Sequence, residues 1–106
     1  MIARVWKAWA RPAEAQAYVR LFSETIIRAL RDVQGFQRAE VFTRPAGDDE
    51  VEIMTMVHFA DMNAIRAFAG DQPQVANVSA AARDLLIRFD REVVHLESAF
   101  VGVGTP

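Results

Sequence analysis

The stretch VEIMTMVHFADMNAIRAFAG, residues 51–70, passes from a strand pattern to a helix pattern with almost no loop between them. Val51, Ile53, Thr55, Val57 and Phe59 alternate with Glu52, Met54, Met56 and His58, the two-residue period of a strand whose side chains point to opposite faces in turn. Asp61 is placed to cap a helix, Ile65 and Phe68 follow three apart on its apolar side, and Gly70 supplies the left-handed residue that ends it. Both faces of the strand are largely apolar, so both need cover. A chain of 106 residues has helices for one face only, which predicts a partner chain over the other.

The remaining segments fall around this one. Ile2 to Ala10 reads as a strand with Ile2, Arg4, Trp6 and Ala8 on one side and Ala3, Val5, Lys7 and Trp9 on the other. A large ring on each face marks it as a central strand. Pro12 suits a first helical turn, and from there to Val33 the spacing of Tyr18, Leu21, Phe22, Ile26, Leu30 and Val33 is helical. Gly35 terminates that helix, and Phe36 to Thr43 follows as a more charged strand suited to an edge. The turn-rich run from Arg44 to Asp49 predicts a hairpin into Val51. Pro73 interrupts the helical pattern, a further helix is expected over residues 78–87 with Ser79 or Asn77 as cap, and residues 91–101 alternate as a last strand.

Strand, helix, strand, strand, helix, strand is the order of a ferredoxin-like α+β domain: a four-stranded antiparallel sheet, βαββαβ in sequence, with helices on one face. Residues 1–101 make one such domain and 102–106 a short tail. Two sheets closing face to face would bury roughly 800 Å² on each chain, the area of a stable dimer, so a homodimer is expected.

Composition narrows function mainly by exclusion. Twelve basic and 14 acidic side chains leave a net charge of −2, which offers no field for nucleic acid or an anionic membrane. The absence of cysteine removes disulfides, thiol nucleophiles and thiolate metal sites, and fits a cytoplasmic protein. Arg4 and Lys7 break the apolar residues of the N-terminus, so neither a signal peptide nor a membrane span is expected there. No phosphate-binding glycine loop or histidine cluster occurs, and the acidic run at Asp48, Asp49 and Glu50 reads as a solvated turn, so no metal site is expected.

The GF pair at Gly35 and Phe36, the passage FADMNAIRAFAG and the closing VVHLESAF resemble the antibiotic-biosynthesis-monooxygenase-like domain of the dimeric α/β-barrel superfamily. That resemblance covers nearly the whole chain. It implies a pocket between helices and sheet in a family whose members include oxygenases that oxidise aromatic polyketides without metal or flavin, haem-degrading enzymes and many proteins of uncharacterised activity. Haem-degrading members of the family carry an axial histidine on a helix, and no helix predicted here contains one, so haem degradation is disfavoured and no cofactor is expected. Phe59 stands where relatives often have tryptophan, and His95, Leu96, Glu97 and Ser98 stand where many resemble HYEV; an indole donor and a phenol are thereby lost.

Cofactor-free oxidation of a phenolic ring system needs a base, a donor for the oxyanion and apolar walls. His95, in mid-strand, is the candidate base, against the alternative of a histidine that hydrogen-bonds within the core or dimer seam. Arg4 would hold the oxyanion or else pair with Glu52 or Glu97; Trp6, Tyr18, His58 and Phe59 would line the pocket or serve as ordinary core and rim residues. The alternative function is a non-catalytic dimer of the same fold that binds a small molecule or only assembles.

Overall fold

The computed structural model describes residues 1–106. Strand β1 (Ile2–Ala10) lies inside an antiparallel sheet, with β3 (Val51–Phe59) on one side and two short strands, β4 (Arg88–Phe89) and β5 (Val94–Glu97), end to end on the other. β2 (Phe36–Pro45) forms the far edge beside β3, closed by a hairpin in which Ala46 N–H donates to Glu50 O at 3.0 Å. The strand order β2-β3-β1-β4 and the helices on one face make the fold ferredoxin-like α+β, with one edge strand in two pieces.

Register decides which residues meet the helices. Arg4 lies opposite Val57 and His95, Trp6 opposite Thr55, and Ala8 opposite Ile53 and Phe89, so these residues share one face. Helix α1 (Pro12–Leu21) covers it, beginning with the expected proline and a bond from Ala15 N–H to Arg11 O at 2.8 Å. The same helix continues through a π-helical segment (Phe22–Ile26) into α2 (Ile27–Arg31). Leu30, Ile53, Phe59 and Ile65 are the largest fully buried side chains, each contributing about 1.5–3 kcal/mol through burial.

Helix α3 (Met62–Ala69) follows β3 after two residues, and Asp61 accepts from Ala64 N–H at 2.9 Å as its cap. Gly35 adopts φ +97°, its carbonyl accepts from Ala60 N–H at 2.8 Å, and a Cβ placed there would lie 2.7 Å from the Ala64 Cβ. Glycine at this position therefore serves both a left-handed backbone and the close approach of α3.

The C-terminal third departs from the expected boundaries. The helix expected over residues 78–87 is only α4 (Ala80–Arg83), capped by Ser79. Leu85 and Leu86 leave it in tight turns, and Trp9 O captures Ile87 N–H at 2.7 Å, drawing the chain into the sheet. The strand expected from residue 91 starts at Arg88 and breaks after Phe89, because residues 91–93 bond instead with residues 74–76: Ala76 N–H to Arg91 O at 2.9 Å and Val93 N–H to Gln74 O at 2.8 Å. It ends at Glu97 rather than Val101, since the last bond, Ser98 N–H to Met1 O, exhausts the partner strand.

Ala3, Val5, Lys7, Trp9, Met54, Met56 and His58 belong to the opposite face of the sheet, which no helix covers. Phe42, Val94 and Leu96 are about half exposed on the same side.

Candidate functional site

Between the long helix and the sheet lies a cavity of about 510 Å³, and 14 of its 19 lining residues are apolar. Its floor is Arg4 and Trp6 of β1 with Thr55 and Val57 of β3; its roof is Tyr18, Phe22, Thr25 and Ile26. The π turn contributes to that roof directly. The π segment itself supplies Phe22, Thr25 and Ile26 to that roof, and wide turns of this kind recur at functional sites. The loop after α3 closes one end through Ala76, Asn77 and Val78.

The aromatic walls are built on one another. Trp6 lies 6.3 Å from Tyr18 and 5.9 Å from Phe89 between ring centroids, and Tyr18 lies 6.5 Å from Phe22. Trp6 Nε1 donates to Asp90 O at 2.6 Å, so its N–H is spent on the fold and only its ring is offered to the cavity. Burial pushes the Tyr18 pKa upward, which keeps its hydroxyl a neutral donor at all ordinary pH.

Arg4 is the one charged residue in the wall. Its Nη2 donates to Pro73 O at 3.3 Å and Val75 O at 3.2 Å, holding the end loop in place. Its Nε is buried without an acceptor, and the Phe68 ring centre lies 5.8 Å from its Cζ. Desolvation lowers its pKa, but an arginine stays charged regardless.

Of the residues singled out from sequence, Arg4, Trp6 and Tyr18 meet in this cavity. His95 faces the same side and sits opposite Arg4 in register, just outside the lining residues, with Nε2 buried and unpartnered. Desolvation, and secondly the Arg4 charge, depress its pKa, so the neutral imidazole able to accept a proton prevails near pH 7. Phe59 is fully buried behind the lining, 5.9 Å from Phe68. His58 points to the uncovered face, where Nε2 lies 3.0 Å from Glu40 Oε1. Sequence reasoning passed over Thr25, Thr55 and the residues 76–79; only Thr55 carried a visible signal, a hydroxyl among Ile53, Val57 and Phe59.

Haem iron takes histidine, cysteine, methionine or tyrosinate as its axial ligand. Tyr18 is the only such side chain in the wall, and its raised pKa opposes the phenolate form. Nowhere do three or more histidine, aspartate or glutamate side chains converge as a metal site.

The ferredoxin-like sheet, the helical layer and the apolar cavity between them are those of a small monooxygenase-like fold. Among solved structures, the chain superposes on a monooxygenase from Streptomyces coelicolor in complex with nanaomycin D, at 19% identity and TM-score 0.67, over 98% of this chain and 92% of that one. It also matches the haem degrader MhuD from Mycobacterium tuberculosis with two haems in its active site, at 16% identity and TM-score 0.60, over 98% and 100% of the two chains. A Nitrosomonas europaea protein of unknown function matches at 21% identity and TM-score 0.56, over 97% and 95%. No family model and no curated protein matches the sequence. These likenesses establish the antibiotic-biosynthesis-monooxygenase-like fold.

Proposed function

We propose that this chain is a homodimeric, cofactor-independent oxygenase that takes an aromatic, polyketide-like small molecule into the cavity under its long helix. The cavity carries the reading: about 510 Å³ of predominantly apolar space walled by Trp6, Tyr18 and Phe22, with a single cation at one end. Flat rings gain both burial and ring–ring contact in such walls. The Streptomyces coelicolor monooxygenase of the same fold is in complex with a small ligand, nanaomycin D, which supports a small-molecule site here.

His95 is the proposed base and Arg4 the proposed partner of the oxygen that becomes negative. Proton removal from an activated ring carbon gives an electron-rich anion that reduces dioxygen without an added reductant. In the overall step a CH₂ and O₂ become C=O and H₂O, so atoms and electrons balance. Trp6, Tyr18 and Phe68 position the rings, and Phe59 backs Phe68. The second subunit is proposed to cover the open sheet face around Val5, Met54 and Met56, which leaves His58 and Glu40 at the seam rather than at the substrate. A cysteine-free chain of this kind suits the cytoplasm.

Oxygen uptake with a panel of reduced anthrones and quinols tests the reaction. Uptake by wild type, with loss of roughly a hundredfold or more in His95→Ala, is the expected result. A second reading, a binder without catalysis, is favoured by one observation: no base lies in the cavity wall itself. Ring compounds that bind without any oxygen uptake above background would select it.

A further inference from the structure

Nothing in the chain neutralises Arg4. The ion pairs of the fold engage Arg11, Arg38, Arg44, His58 and Arg88, and none includes it. Its register neighbours are Val57 and His95, neither a carboxylate. Nη2 is occupied by two loop carbonyls, Nε has no acceptor, and Nη1 has no partner in the chain. Fixing the loop requires only the Nη2 bonds, so that role leaves the charge unexplained. A partly buried cation without a counter-charge is costly, and two neutral acceptors offset only part of the cost.

The rest of the wall says what shape of counter-charge belongs there. No acidic side chain lines the cavity, and away from Arg4 the surface is rings and aliphatic groups. An amphiphile with a negative head and a flat apolar body matches that distribution. We infer that the natural ligand is an acid, a fused-ring compound bearing a carboxylate or an enol or phenol ionised at neutral pH, whose oxygen accepts from Arg4 Nη1 while the rings extend between Trp6, Tyr18 and Phe22. The inference rests on the cavity being the binding site and adds what that reading leaves open: selection by charge as well as by shape. Bidentate or charge-assisted contact with a guanidinium is among the stronger polar contacts available.

Isothermal titration of the full chain with 2-naphthoate and with 2-naphthamide, nearly equal in shape, isolates the charge. Wild type is expected to bind the acid roughly tenfold or more tightly than the amide, Arg4→Met to bring the ratio to about one, and Arg4→Lys to keep most of it. Should Arg4→Met fail to fold for want of its loop bonds, the wild-type ratio still decides. Equal affinities in wild type, or an acid preference that survives in folded Arg4→Met, would overturn the inference while leaving the cavity as a site for rings. Failure of both compounds to bind would remove the cavity reading and the inference together.

Discussion

Gly35 is held by two requirements that no other residue meets together. Its φ of +97° is strained for any side chain, and a methyl group would press on Ala64 of α3 at 2.7 Å. Gly35→Ala is expected to destabilise the fold by about 2 kcal/mol or more, read as a lower urea midpoint with unchanged slope. His95 offers a test of a different kind. Its native pKa lies below the ordinary value through burial and then Arg4, so the unfolded chain takes up the proton first as acid is added. Stability associated with neutral His95 is therefore full above about pH 6.5 and is lost as pH falls through the lowered native value. His95→Gln should flatten that limb of the stability curve; urea midpoints measured across pH 7 to 4 would show an unaltered slope if the imidazole were not desolvated.

At the scale of elements, what could be read from sequence was what local chemistry dictates. The period of two in Ile2–Ala10 and in Val51–Phe59, the Asp61 cap and the Gly70 stop all depend on neighbours within a few residues, and all lie where the patterns put them. The first helix, expected to reach Val33 and stop at Gly35, ends at Arg31 with Asp32 as its cap, and Gly35 turns the chain into β2 instead. The C-terminal third did not follow its pattern, because α4 and the broken edge strand are set by distant bonds: Ile87 to Trp9, Val93 to Gln74, Ser98 to Met1. The same limit explains the histidines. Alternation separates His58 from Phe59, but which face the helices occupy is decided by packing, and that choice puts Arg4, Trp6 and His95 on the cavity side and His58 on the other. The π turn left no local trace at all. Ser23 within it is exposed and its hydroxyl bonds only Arg20 O at 3.2 Å, so deleting Ser23 should convert the turn to ordinary α-helix. Cooperative unfolding near the wild-type midpoint with clearly weaker 2-naphthoate binding is the expected outcome, and calorimetry that found binding unchanged would deny the turn its role in shaping the roof.

For the whole molecule, the sheet has one face under helices and one without cover. Val5 lies at the middle of the bare face, opposite Met56 on one side and Val94 on the other. Sedimentation velocity should give twice the 11.9 kDa chain mass for wild type and a single chain for Val5→Glu, whose carboxylate would be desolvated at the seam. Wild type sedimenting as one chain would contradict the dimer. The covered face holds the functional claim, and the two tryptophans separate the faces: Trp6 lines the cavity and Trp9 lies on the bare side. Replacing Trp9 with phenylalanine leaves Trp6 as the sole indole reporter. Its emission, titrated with anthraquinone-2-carboxylate, should be quenched along a saturable curve that ends at one ligand per chain; quenching that only rises linearly, as for free tryptophan in solution, would contradict a ring-binding cavity beneath the long helix.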